Sequence, residues 1–273
     1  MTTNSLYLTW HTELRQMFTG LHKPQLRNLT FLLVGIFLSR SVQLHRIANK
    51  IPGRATLVSI TRRLSRFLES AGPALAVRPN YEPLIRPVLA RLAQAGHIRL
   101  IIDGSKVGFH HQLLMVSVAY RRRAIPVAWT WVRHKKGHSG ARTQIALLSY
   151  VRSLLPKMPT GTTADVVGDC EFGAIDLITQ LEAWGWTYTL RQKSNHQVQT
   201  QPEADWLACA ELVYPGESHW FPNVLLTALH CHPTNVVAHW ALGESEPWVL
   251  ATNHLSLHTA LKSYGRRMWT EEL

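Results

Sequence analysis

The chain has 273 residues, 46% of them hydrophobic and 17% charged, with a formal net charge of +12 and a sequence pI of about 10.1. That length suits one large domain or two ordinary ones, and the apolar content excludes a disordered tail. The positive excess points to a polyanionic partner or an anionic membrane surface.

The charge is unevenly spread. Residues 1–98 carry 13 Lys and Arg against 3 acids (Glu13, Glu69, Glu82), or +10, whereas residues 99–273 carry 16 against 14, or +2. The first aspartate is Asp103, so the two regions read as parts with different tasks. Cys170, Cys209 and Cys231 are odd in number and lack the paired spacing of a zinc site or a disulfide framework, which fits a reducing, cytosolic setting. The start "MTTNSLYLTWHTELRQ" lacks the basic-then-apolar layout of a signal peptide. The run "TFLLVGIFLS" (30–39) is too short to span a bilayer, so a buried helix and no membrane partner are expected.

Residues 1–80 read as a helical DNA-binding region. Within it, "SVQLHRIANKIPGRATLVSITRRLSRFLES" (41–70) has the pattern of a helix, a Pro-Gly turn and a second helix. Leu44, Ile47 and Ala48 keep helical spacing before the turn, and Val58, Leu64, Phe67 and Leu68 supply an apolar side after it. Arg62, Arg63 and Arg66 lie on or beside the opposite face. A helix-turn-helix with a basic second helix can neutralise phosphates and reach guanine edges in the major groove. "SAGPALAVRPNYEP" (70–83), with three prolines, reads as the linker.

From residue 81 the pattern predicts an α/β domain. A helix in "PLIRPVLARLAQAG" precedes a strand, "HIRLIID", that rises to Asp103. "QLLMVSVAY" and "AIPVAWTWV" form a hairpin through Arg121, Arg122 and Arg123. A helix (141–155), the strand and turn "ADVVGDCEFG", a helix in "AIDLITQLEAWG" and the strand "WTYTLRQ" follow, and this order gives a mixed sheet. Residues 199–257 read as a β-rich insertion, with Trp206, Trp220, Trp240 and Trp248 as core residues. The loop "RHKKGHSGAR" (133–142) offers Lys135 and Lys136 to phosphates, and Arg191 and Lys193 offer the same after the fifth strand.

Asp103 and Asp169 each end an apolar strand, where ligand sites of open α/β sheets gather. Carboxylates brought together from separate elements repel unless cations lie between them, and hard oxygens suit Mg²⁺ or Mn²⁺. Two such ions support in-line phosphoryl displacement, which is nuclease or strand-transfer chemistry.

These residues carry a resemblance. "LIIDGSKV", "VVGDCEFG" and "YGRRMWTEEL" resemble the two aspartate strands and the Y-x2-R-x3-E box of the DDE transposases of bacterial insertion sequences, in the group with a β-rich insertion before the last acid. The similarity runs from about residue 97 to the end. It implies a ribonuclease-H-like catalytic domain over 81–273, with Asp103, Asp169 and Glu271 as catalytic ligands of two-ion Mg²⁺ or Mn²⁺ chemistry. Tyr264 and Arg267 are implied to meet DNA near the scissile phosphate. Double-stranded DNA, as terminal inverted repeats and as target, is the implied partner, bound by a homodimer in the bacterial cytoplasm. The box would continue to a lysine at 278, so the expectation is a chain cut off within its last helix. A DNA-binding remnant without activity and a ribonuclease-H-like nuclease without transposition are the alternative expectations.

Overall fold

A computed structural model describes residues 2–69, 77–133 and 138–270. The chain divides into two compact units, Met1–Pro87 and Val88–Leu273. It is a mixed α/β protein built on one ten-stranded sheet that has both parallel and antiparallel pairs. No helix among the described residues is long and apolar enough to cross a membrane.

In the first unit, helices α1 (Thr3–Met17), α2 (Lys23–Ser39), α3 (Leu44–Ala48) and α4 (Leu57–Glu69) precede α5 (Val77–Gln94), which continues into the second unit. Thr2 caps α1 by accepting from the Ser5 amide, and Pro24 occupies the first turn of α2, where a missing N–H costs nothing. Phe31, Ile47, Ala48, Ile51, Ile60 and Leu64 form the core of this unit. Gly35 permits the close approach of α2 and α3, because a Cβ there would lie 2.5 Å from Ile47 Cγ2.

Two details depart from the sequence reading. The buried seam of α4 is Ile60 and Leu64, so Val58 and Leu68, read as part of the apolar side, are exposed. Residues 77–83, read as linker, begin α5, which carries Pro83 and Pro87 inside it. Residues 70–76 lie outside the described residues.

The second unit starts with β1 (Ile98–Val107), β2 (His111–Tyr120) and β3 (Arg123–Arg133), an antiparallel meander. Tyr120 pairs with Arg123 across a two-residue turn in which Arg121 and Arg122 both have positive φ, 48° and 61°. That backbone matches the twist of the flanking strands, although neither residue is the Gly or Asn such turns favour. Helix α6 (Ala141–Leu154) leads to β4 (Ala164–Gly168), and α7 (Ile175–Ala183) connects β4 to β5 (Thr187–Arg191); β1, β4 and β5 are parallel.

Residues 197–252 supply β6 (Gln197–Gln199), β7 (Leu207–Ala208), β8 (Ser218–Leu226), β9 (His232–His239) and β10 (Trp248–Thr252). They extend the same sheet through the β5/β10 pair, in the order β3-β2-β1-β4-β5-β10-β9-β8-β6-β7. Helix α8 (Leu257–Tyr264) is capped by Ser256, whose side chain accepts from the Thr259 amide, and passes into a 3₁₀ segment over Gly265–Thr270. Tyr264, the first residue of the Y-x2-R-x3-E box, therefore ends α8, and the 3₁₀ segment carries Arg267.

Candidate active site

Register places the candidate acids. β1 and β4 run in parallel, with Arg99 beside Asp165, Ile101 beside Val167 and Ile102 beside Gly168. Side chains alternate along a strand, so Arg99, Ile101 and Asp103 share one face of β1, and Asp165, Val167 and Asp169 share that face of β4. Asp169 follows the last residue of β4. Asp103, expected to end its strand, lies within β1, which runs on to Val107 paired with β2. The two acids therefore leave the sheet on the same side, where the β1/β4 pairing stops. Beyond Gly168 the chain turns away into a 3₁₀ turn, Cys170–Phe172, capped by Asp169 Oδ1, which accepts from the Glu171 amide at 2.9 Å. Gly168 lets Phe172 fold back over the strand end: a Cβ there would meet Ile102 and Phe172 at 2.9 Å.

Arg267 joins the pair. Its Nη2 lies 3.8 Å from Asp103 Oδ1 and 3.8 Å from Asp169 Oδ2, in a position where the three side chains are 19%, 27% and 31% exposed. Two carboxylates presented to one cation form a hard oxygen donor set that suits Mg²⁺ or Mn²⁺. Among the described residues there is no group of three or more His, Cys, Asp or Glu side chains able to hold a metal ion. Glu271, the third expected ligand, lies outside the described residues.

The segment that carries Arg267 is held by packing. Trp269 rests on Ile101, Ala119, Ala124 and Val167, the apolar middle of the same sheet face. Tyr264 is buried with Val237, Leu250 and Ala260 and meets Trp248 edge-on at 4.9 Å between ring centroids. Burial pushes its hydroxyl up to about 12, against the lowering pull of Arg267 and Arg191. Tyr264, expected to meet DNA, is thus a core residue that anchors α8.

Sequence reasoning missed Glu171, which organises the ground beneath the acids. Its carboxylate accepts from Gln112 Nε2 at 3.0 and 2.8 Å, from the Ser139 amide at 2.8 Å and from Ser139 Oγ at 2.5 Å, and it lies 3.5 Å from His138 Nδ1. Gln144, fully buried, donates to Ser139 O and Oγ at 3.1 and 3.0 Å. A Cβ on Gly104, next to Asp103, would fall 2.0 Å from Gln112 Nε2 and 3.3 Å from Glu171 Oε2. The available signal was an acid two residues after Asp169, in the turn that the Asp169 side chain caps.

The remaining candidates are scattered. Arg62 and Arg66 are exposed on α4. Arg63 instead turns to the core: its guanidinium lies 4.9 Å from the centroid of the Phe31 ring, with that of Arg27 at 5.3 Å. Burial, then Arg27, holds the Arg63 pKa below its ordinary value. Lys135 and Lys136 lie outside the described residues. Arg191 pairs with Glu246 at 3.1 Å and donates to Pro247 O at 3.0 Å. Burial and the neighbouring Asp169 carboxylate push the Cys170 thiol up, away from thiolate reactivity. No family model and no curated protein matches this chain.

Proposed function

We propose that the chain is a metal-dependent DNA transposase of the DDE type, acting at the ends of a bacterial insertion sequence. The observation that carries this reading is the convergence of Asp103 and Asp169, from adjacent parallel strands where their pairing stops, on Arg267. Strand order supports a ribonuclease-H-like assignment for the second unit. An antiparallel β1–β2–β3 meander lies beside parallel β4 and β5, with α7 as the crossover between those last two. The helix pair α3–α4, with Arg62 and Arg66 exposed, and the +10 charge of residues 1–98 support delivery of double-stranded DNA to that unit.

Asp103, Asp169 and Glu271 would hold Mg²⁺ or Mn²⁺, as one ion or two. Bound there, such ions polarise a scissile phosphate and make an attacking water more acidic. Water adds to phosphorus, the bond to the 3′ oxygen breaks, and the products are a 3′ hydroxyl and a 5′ phosphate. The freed hydroxyl then attacks a phosphodiester of the target, so one P–O bond forms as another breaks. Arg267 offsets the mutual repulsion of the two acids and offers a cation beside the reacting phosphate. Glu171 ties the turn that follows Asp169 to Gln112 of β2 and to Ser139. The working form is a homodimer on paired element ends.

The test is incubation of the purified chain with labelled DNA carrying its terminal repeats, first with Mg²⁺ and then with Mn²⁺. Nicking at the repeat ends followed by strand-transfer products is expected. Cleavage that survives in Asp103→Ala would overturn the mechanism. Binding without nicking would leave a DNA-binding protein, and nicking without joined products would leave a nuclease.

A further inference from the structure

The sheet face that carries Asp103 and Asp169 holds a second polar site at its other end. Arg99 and Asp165 are neighbours near the start of β1 and β4. Four residues separate them from Asp103 and Asp169, roughly 13 Å at the rise of a strand. Ile101, Val167 and Trp269 fill the interval with apolar side chains. A pocket of about 390 Å³ opens at this end, lined by Arg99, Arg266, His97, His258 and Lys262, with Asp165 as the single carboxylate among the described lining residues.

Asp165 does not balance that charge, because its oxygens are already engaged. Oδ1 accepts from Thr187 Oγ1 at 3.1 Å and lies 3.0 Å from His254 Nε2; Oδ2 accepts from Ser263 Oγ and faces Arg266 Nη1 at 3.6 Å. Among the described residues the side chains of Arg99, His258 and Lys262 form no hydrogen bond or ion pair. The cations also crowd one another. Burial and then the charges of Arg99 and Arg266 lower the pKa of His97, and burial and then Arg99 lower that of Arg266. An anion among them would relieve that repulsion.

We propose that this pocket binds a backbone phosphate of a nucleic-acid strand, as a second contact on the sheet face that carries the candidate acids. The identification of the polyanion as DNA rests on the function proposed above. Lys262 and His258 stand exposed at the rim and Arg99 lies deeper, which suits a strand passing over the pocket. Such a contact positions a strand without reading its sequence.

The experiment measures binding of the full chain to a labelled duplex of random sequence by fluorescence anisotropy across a range of salt concentrations. It compares the parent with Arg99→Gln/Lys262→Gln and with Lys262→Glu, which alters only an exposed helix position. The Asp165 network is untouched in both variants, so their melting temperatures should match the parent. The double variant should bind about 5- to 20-fold more weakly, with the slope of log affinity against log salt smaller by about 1 to 2. Lys262→Glu should weaken binding in the same direction. If the parent binds and both variants keep its affinity and slope, the pocket is not a phosphate site, while the DNA reading stands. If the parent fails to bind any duplex at low salt, the DNA reading falls, and the pocket's proposed occupant falls with it.

Discussion

Arg266 and Arg267, adjacent in the chain, reach opposite ends of the same strand. Arg266 Nη1 lies 3.6 Å from Asp165 Oδ2 near the start of β4, and Arg267 Nη2 lies 3.8 Å from Asp169 Oδ2 just past its end. Trp269 packs between these ends on Ile101 and Val167. The segment after α8 is therefore fastened along the length of β4 by two ion pairs and an apolar contact, and it brings Arg267 to the candidate acids. Five expected outcomes follow from this arrangement and the proposed chemistry.

Asp103→Asn and Asp169→Asn should each lower DNA cleavage by roughly 10³-fold or more while leaving duplex affinity within about 2-fold, because the lost charge would hold the metal ion that polarises the reacting phosphate. Each change also removes one of two like charges, so the melting temperature should hold or rise slightly. Gel-resolved cleavage alongside differential scanning fluorimetry checks both parts. A large fall in melting temperature would assign the aspartates to structure.

Arg267→Ala leaves Asp103 and Asp169 facing each other without their shared cation. The variant should melt lower than the parent, and Mn²⁺ should raise its melting temperature more than it raises the parent's, since an ion then takes the place of the guanidinium. Titration of Mn²⁺ in a thermal-shift assay measures this. Equal shifts in the two proteins would show that the ion does not compete with Arg267.

Asp165 links stability to acid pH. Burial opposes its ionisation, but the hydrogen bond and charge of His254, with Ser263 and Thr187, outweigh burial and hold its pKa below the ordinary value. A depressed folded-state pKa contributes stability above the unfolded value of about 3.9, and that contribution is lost as pH falls through the folded value. Asp165→Asn should therefore cost about 3 kcal/mol at neutral pH and flatten the parent's acid limb below about pH 4. Urea melts at several pH values measure the difference.

Tyr264→Phe should fold and cleave like the parent, within about 1 kcal/mol of stability, because the ring fills the core. Tyr264→Ala should cost about 3 to 5 kcal/mol. A Phe variant that is as stable as the parent yet fails to cleave would return the hydroxyl to the site.

Glu171→Ala removes the acceptor for buried Gln112 and for the Ser139 amide, and should cost about 2 to 3 kcal/mol. Cleavage should fall with it as the turn that carries Asp169 loses its ties to Gln112 and Ser139. Glu171→Gln, which keeps the shape and one acceptor oxygen, should recover part of both. Equal losses in the two variants would mean that the charge of Glu171, rather than its acceptor geometry, holds the site.

What the sequence alone determined was local. Short apolar runs marked β1 to β5, and an aspartate at the end of a run marked each candidate acid, because burial of a strand acts on near neighbours in the chain. Spacing of 3.6 residues marked α3, α4 and α6 for the same reason. Tertiary structure decided the rest. The β1/β4 register brought Asp103, inside a strand that runs on to Val107, beside Asp169 past the end of β4, and it set Arg99 and Asp165 at the opposite end of the same face. Packing against Trp248, Val237 and Leu250 made Tyr264 a core residue. The Phe31 ring drew Arg63 inward from a stripe that spacing had assigned to the surface. Glu171 acquired its role from Gln112 and Ser139, residues 59 and 32 positions away. Periodicity reports which side of an element is buried. The partner found there is set by contacts between residues distant in the chain, and no local pattern records them.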